Sequence, residues 1–308
     1  GCVAAAAGMT VAALLVQWRK PRLDALMPGA DHLHGPLSTV WVLLVIALLL
    51  YPTALLLALP VVLSWAMYAL MGLLVLYFVV SCVRRRERVQ THRYLALLLL
   101  FVALVVFWAF SLQGVTSLNF LARDYVDAPF DFSWFQSANP LYILILAPLL
   151  AMLWPWLERR GRDPSTPRKF GIGLLLVALS YGVLVYTIGH LQHADGRIGW
   201  WSLALCYLLQ TLGELALMPI GYALVGQLAA PEEASLAMGG WFFGVALAYQ
   251  LAGWIATLTI QAPTAGPAMT GLADYAHVYG QLFGWGTAVA LVFLLTAPWI
   301  RRLMHGLH

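Results

Sequence analysis

Of the thirteen Asp and Glu residues in this 308-residue chain, Glu214 alone lies inside a long apolar run. It belongs to residues 207–243, YLLQTLGELALMPIGYALVGQLAAPEEASLAMGGWFF, which read as an apolar helix carrying a carboxylate, a short acidic turn and the start of a second helix. An ionisable group at mid-membrane costs roughly 2.5–3.5 kcal/mol on insertion scales. Such a group ordinarily faces a cavity or a partner and marks a path for substrate or protons; the plainer reading is a carboxyl tied to a neighbouring helix. Residues three, four, seven and eight positions away share its helix face. These are Tyr207, Gln210, Thr211, Met218 and Tyr222, with Leu217 beside them, whereas Leu208, Leu212 and Leu215 lie opposite. A lipid-facing helix has no reason to align Tyr, Gln, Thr and Glu, so Tyr207, Gln210 and Thr211 are expected to line a cavity with Glu214. An interhelical hydrogen-bond seam produces the same stripe, but leaves the ionisable group unaccounted for. Pro219 and Gly221 weaken the ladder two turns on, giving either a hinge or a static kink.

Other polar groups stand in apolar surroundings. FWAFSLQGVTSLNF carries Gln113 with Ser111, Thr116 and Ser117, a denser cluster than packing requires. Asn139 follows QSA and precedes Pro140, where it either caps a helix or contributes to a site. Ser235 is placed to cap the helix that follows it, 236–260. Trp241 lies between Gly240 and Gly244, a GxxxG pair that allows close backbone approach, and is core, lipid-facing or a cavity wall. Tyr249 and Gln250 add polarity further along. His190, His193 and His277 fall near span ends or in loops and receive no ligand role. No HExxH, GxSxG, P-loop or zinc spacing appears, so no metal or cofactor is expected. Cys2, Cys82 and Cys206 show neither metal spacing nor a disulfide framework.

The elements that must position these residues are membrane helices. The chain is 62% hydrophobic and 10% charged, against roughly 45–50% and 25% in soluble domains. Its apolar blocks are about twenty residues long, the length that crosses a bilayer. The fold class is an all-α polytopic membrane protein with nine transmembrane helices, at 1–18, 38–59, 61–83, 94–118, 138–157, 170–190, 200–228, 236–260 and 278–300. Residues 41–80 exceed one span, and Pro52 and Pro60 mark a break within them, giving a helical hairpin. Fifteen of the seventeen basic residues then fall on one side of the membrane, from Arg19, Lys20 and Arg22 through Arg84–Arg93 and Arg159–Lys169 to Arg301 and Arg302. The positive-inside rule puts that side, and the C-terminus, in the cytoplasm. The net charge of +4 is thus an orientation signal, and nucleic acid is not an expected partner. The outer loop 119–137 is aromatic and acidic, with Trp134 and Phe135 expected at headgroup level. The opening GCVAAAAGMTVAALLVQ lacks a positive segment ahead of its apolar run. It reads as the remnant of a helix, so the chain is expected to be the C-terminal portion of a longer protein.

Three blocks, in order, resemble the proton-dependent oligopeptide transporter family of the major facilitator superfamily. FWAFSLQGVTSLNFLARDYVD is similar to its seventh helix and following loop, and FQSANPLYILILAPLLAMLW to its eighth. GELALMPIGYALVGQLAAPEEASLAMGGWFFGVALAYQLAGWIA is similar to its tenth and eleventh, through GEL, P-x-G, LA-x-P and MG-x-WF. The resemblance covers residues 94–300, a C-terminal six-helix bundle. It makes 1–18 the last helix of an N-terminal bundle, 19–37 a cytoplasmic linker, 38–83 an inserted transmembrane helix pair and 301–308 a cytoplasmic tail.

The resemblance implies a secondary active transporter in the inner (plasma) membrane, not an enzyme, that moves di- and tripeptides inward with protons. It implies that Glu214 pairs with the peptide amino terminus, that Asn139 and Gln113 contact the peptide, and that Trp241 walls the pocket. A buried carboxylate can neutralise an ammonium through charge-assisted hydrogen bonds, and a Trp face suits a cation. The carboxylate that many members carry just before the seventh-helix Gln is replaced here by Ser111 and Leu112. Glu214 is thus the proton-coupling candidate, with Ser111 lining the cavity. The ExxER motif and the basic residues that hold the peptide carboxylate belong to the N-terminal bundle, which is expected as a partner and is not in this chain. Three rival readings are a non-transporting scaffold on the same fold, a membrane enzyme acting on lipid-linked substrates, and a transporter of nitrate or another small solute. The enzyme needs a catalytic cluster that the loops do not offer. The retained Glu214 favours a cargo with an amine.

Overall fold

The computed structural model describes residues 10, 40–41, 43–50, 58–85, 87–260 and 271–306. The expected span 1–18 apart from residue 10, the linker 19–37, Pro52, most of the loop 261–277 and part of the span 38–59 lie outside these. The chain divides into two compact units, residues 1–65 and 66–308. In the first, residues 40–41 and 43–50 are helical.

Seven helices among the described residues are long and apolar enough to cross a membrane, and the chain is a multi-pass membrane protein. Helix α1 spans Pro60–Arg85 and starts at the proline expected to end the preceding helix. Then come α2 (Arg88–Ser111), a 3₁₀ turn (Leu112–Val115), α3 (Ser117–Tyr125), β1 (Val126–Asp127) and a second 3₁₀ turn (Phe132–Ser137). The remainder is α4 (Ala138–Arg159), α5 (Thr166–His190), β2 (Ile198–Gly199), α6 (Trp200–Leu228), a 3₁₀ turn (Pro231–Glu233), α7 (Ala234–Ile260) and α8 (Gly271–Leu303). Each of the seven expected spans that fall on described residues is helical, but α8 begins at Gly271 where a loop was expected up to 277, α2 begins at Arg88 ahead of the expected 94, and the expected span 94–118 is broken at its C-terminal end. The loop after it is also more ordered than its composition indicates. Asp131 caps the second 3₁₀ turn by accepting the Ser133 N–H at 2.9 Å, and β1 pairs in parallel with β2. Trp134 is exposed, whereas Phe135, expected beside it at headgroup level, turns inward and stacks on Tyr207.

The core lies where α5 packs on α6 and α8 and where α2 packs on α7. In contrast, α4 touches α6 yet has no fully buried residue. Helices α5 and α6 meet backbone to backbone. A Cβ on Gly213 would stand 2.8 Å from the Gly173 carbonyl oxygen, and one on Gly173 would stand 3.0 Å from that of Gly213. Small residues permit this approach, and it fixes the height of the adjacent Glu214. Helix α6 continues through Pro219. Two residues on, Gly221 leaves room for the Trp241 ring, which would lie 2.5 Å from a Cβ there. The Gly240/Gly244 pair faces α1 and α2, through Leu74, Phe101 and Leu104.

A second buried carboxylate escapes the sequence reading because it sits in a loop-like PEE segment. Glu233 accepts hydrogen bonds from the hydroxyls of Ser81 (2.7 Å) and Tyr77 (3.2 Å), from Arg85 (3.4 Å) and from Tyr94. Tyr94 in turn accepts the Ala230 N–H. This cluster joins α1 and α2 to the start of α7. Hydrogen bonds to charged groups are worth about 1.5–3 kcal/mol, so Tyr94→Phe is expected to destabilise by about that amount. The readout is a lower melting temperature; an unchanged one would mean that Glu233 does not depend on this donor.

Candidate functional site

Glu214 sits in the middle of α6 and faces α4. Its Oε2 accepts a hydrogen bond from Asn139 Nδ2 at 2.9 Å. The same amide nitrogen lies 3.1 Å from Thr211 Oγ1, which donates to the Tyr207 carbonyl at 2.8 Å. Asn139 is not the cap of α4. It lies inside α4, one residue past the start, and the N-cap position is Ser137, whose side chain makes no cap bond. The Asn139 side chain reaches across to α6 instead.

The carboxylate opens onto a cavity of about 240 Å³. Tyr207, Gln210 and Glu214 of α6, Asn139 and Pro140 of α4, and Trp108 and Ser111 of α2 line it, together with residues 112, 114 and 115, Gln136 and Tyr249. No Lys, Arg or His is among these residues. Glu214 Oε1 makes no hydrogen bond to the described residues. A lone carboxylate at a cavity within membrane helices can bind a cation, either a proton or an ammonium.

The broken end of α2 shapes the cavity wall. Irregular backbone at membrane depth requires partners for its freed carbonyls, or a cavity to line. Both hold here. The Gly114 carbonyl accepts the Tyr207 hydroxyl at 2.8 Å and Gln136 Nε2 at 3.4 Å. The Leu112 carbonyl accepts the Thr116 hydroxyl at 3.1 Å, and the Gln113 carbonyl accepts the Thr116 N–H at 3.1 Å.

Gln113 holds this break together. Its Nε2 donates to the carbonyls of Ala109 and Ala252, each at 3.1 Å, and its Oε1 accepts from Ser117 at 2.7 Å and shares the Thr116 hydroxyl, at 3.2 Å, with the Leu112 carbonyl. The amide is fully buried and all its hydrogen-bonding capacity is used. Gln113 does not line the cavity. Nor does Trp241, whose ring is fully buried beside Phe101, Phe170 and Tyr222. The structure puts Glu214, Asn139, Tyr207, Ser111 and Gln210 on one cavity; Thr211, expected to line it, is fully buried behind the wall and reaches the site only through Asn139 Nδ2. Gln210 turns its amide nitrogen toward Ser180 at 3.2 Å.

Sequence reasoning missed Trp108 and Gln136. Trp108 is five residues before Gln113 in an aromatic run and carries no polarity signal of its own. Its indole N–H is buried without a partner. Gln136 stands in a loop-like segment, and only the folding of that segment over Gly114 brings it to the cavity.

The chain is 31% identical over 237 residues to dipeptide and tripeptide permease B of Edwardsiella piscicida, covering 75% of this chain and 48% of that protein. It is 32% identical over 222 residues to the permease of the same name from Aeromonas hydrophila, covering 70% and 44%. The chain thus spans about half the length of the curated relatives it matches. Among solved structures, a mutant peptide transporter POT in complex with alafosfalin is similar at 30% identity and a TM-score of 0.68, covering 88% of this chain and 55% of that one. Tetrameric PepTSo2 is similar at 25% identity and a TM-score of 0.70, covering 87% and 55%. These proteins are transporters and not enzymes. The family model PTR2, described as POT family, matches residues 59–272, and the chain belongs to the POT family.

Proposed function

We propose that this chain supplies the C-terminal half of a proton-coupled symporter of di- and tripeptides. It works by alternating access against an N-terminal bundle of the same protein, one bundle rocking on the other around a midplane site. In this reading residues 94–300 are the bundle, 38–83 an inserted hairpin, and the C-terminus is cytoplasmic. The observation that carries it is the Glu214 carboxylate, open to a cavity whose lining has no basic residue. The peptide ammonium supplies the missing cation, and Asn139 orients the carboxylate toward it through the 2.9 Å bond. A proton on Glu214 cancels the charge that holds the ammonium, so proton and peptide alternate on one group. Gln113 and Trp241 act behind the cavity wall, Gln113 by fixing the break in α2 and Trp241 by fixing α7 against Gly221.

The permeases it resembles are named for dipeptides and tripeptides, which supports a peptide cargo over nitrate. The test is thermal stability of the full-length protein with a panel of small peptides and with nitrate. Ligand at a hundred times Kd stabilises a protein by about 2.7 kcal/mol, so a rise in Tm with di- and tripeptides and none with nitrate is expected. A rise with nitrate alone would reassign the cargo. No rise with any solute would favour a scaffold.

A further inference from the structure

The end of the bundle formed by the α4–α5 loop and the end of α8 carries a second cavity, of about 430 Å³. Arg168, Arg301 and Arg302 line it, with Ser165, Pro298 and Gly306. None of the three arginines has a carboxylate partner among the described residues. The acid nearest in sequence, Asp163, is taken by Lys169 at 2.8 Å. The Ser165 hydroxyl is likewise uncommitted, since it makes no cap bond at the start of α5. Three like charges around one polar hollow repel one another unless an anion sits among them. Guanidinium groups are donors matched to phosphate oxygens.

What lies beside the hollow identifies the anion. Trp299, Leu295 and Leu291 follow one another at helical spacing below Arg302, and all are exposed, Leu295 by 79%. An aromatic residue beside basic side chains at the end of a membrane helix marks the headgroup layer. Basic pockets between helices at that depth take lipid headgroups.

We propose that Arg168, Arg301 and Arg302 form a binding site for the phosphate headgroup of an anionic phospholipid, with its acyl chains lying along the Leu291–Leu295–Trp299 face of α8. The site is separate from the Glu214 cavity and does not depend on the cargo. The lipid neutralises the arginine cluster and ties the α4–α5 loop to the end of α8.

The test is native mass spectrometry of the full-length protein titrated with phosphatidylglycerol or phosphatidylcholine. Phosphatidylglycerol is expected to bind with retention and phosphatidylcholine weakly. Each arginine near a membrane surface contributes roughly fivefold, so the combined Arg168→Gln, Arg301→Gln and Arg302→Gln variant is expected to bind phosphatidylglycerol roughly a hundredfold less tightly. Removing the same number of charges elsewhere on the α4–α5 segment, through Arg159→Gln, Arg160→Gln and Arg162→Gln, is expected to leave most of the binding. Arg302→Gln alone, a milder change should the triple variant not fold, is expected to lose about fivefold. Equal binding of the two lipids, or equal losses in the two triple variants, would overturn the site. Displacement of phosphatidylglycerol by inorganic phosphate at equal concentration would assign the hollow to a free anion and overturn the lipid.

Discussion

Glu214→Gln in the full-length protein is expected to weaken dipeptide binding by about 30-fold to a few thousandfold, while the protein still reaches the membrane. The range follows from truncating one partner of a desolvated charge pair, which costs about 2–5 kcal/mol. Gln has nearly the same volume, and its carbonyl can still accept the Asn139 amide that now bonds Oε2. Folding is therefore preserved while the charge is lost. The cavity lining has no second acid to take over, since Glu214 is the one Asp or Glu among those residues. Uptake driven by a pH gradient should fall with binding, because the same substitution removes the group proposed to carry the proton. A Glu214→Gln protein that takes up dipeptide at the wild-type rate would leave the carboxylate a structural role only.

The second large effect is expected at Gly213. A leucine there places its Cβ 2.8 Å from the Gly173 carbonyl oxygen and 3.2 Å from the Phe107 ring. The first of these is backbone and cannot rotate away, so α5 and α6 must separate. Overpacking of this kind costs about 1–3 kcal/mol, and more where two backbones define the contact. The consequence also reaches the site. Glu214 is the next residue, and its bond to Asn139 spans α6 to α4, so a shift of α6 lengthens it. Gly213→Leu is expected to lower both Tm and peptide affinity. Gly226 lies on the same helix with open space where a Cβ would go, and leucine has the better helix propensity by roughly 1 kcal/mol. Gly226→Leu is the matched control and should leave peptide affinity unchanged while holding Tm level or raising it. Identical behaviour of the two variants would rule out the close crossing as the feature that sets the site.

Both predictions start from residues that were legible in the sequence to different degrees. Glu214 was legible because apolar context makes a single carboxylate conspicuous, and its helical neighbours Tyr207 and Thr211 follow from periodicity. Helix bounds were legible for the same reason, since long apolar runs leave few alternatives. Glu233 was not, because an acid in a PEE turn looks solvated; only the tertiary approach of Ser81, Tyr77 and Tyr94 buries it. The break of α2 was half legible. Gln113, Gly114, Thr116 and Ser117 announced unusual polarity, but polarity alone does not distinguish a side chain facing a ligand from one satisfying freed backbone. The saturated Gln113 amide shows the second use. Asn139 presented the opposite ambiguity: its position allowed a cap as readily as a site role, and its side chain contacts Glu214. Gly173 and Gly213 carry no chemistry, and their pairing depends on which faces of α5 and α6 meet, which periodicity does not specify.

The most direct test of an ammonium-binding carboxylate is a thermodynamic cycle on the full-length protein. Binding of a dipeptide and of its N-acetylated form is measured by calorimetry, for wild type and for Glu214→Gln. Acetylation removes the ammonium and nothing near the peptide carboxylate, so the coupling between the two changes isolates the pair. Acetylation is expected to weaken binding strongly in the wild type and scarcely in Glu214→Gln. Equal sensitivity to acetylation in both proteins would show that the amino terminus is held elsewhere, and would contradict the role given to Glu214.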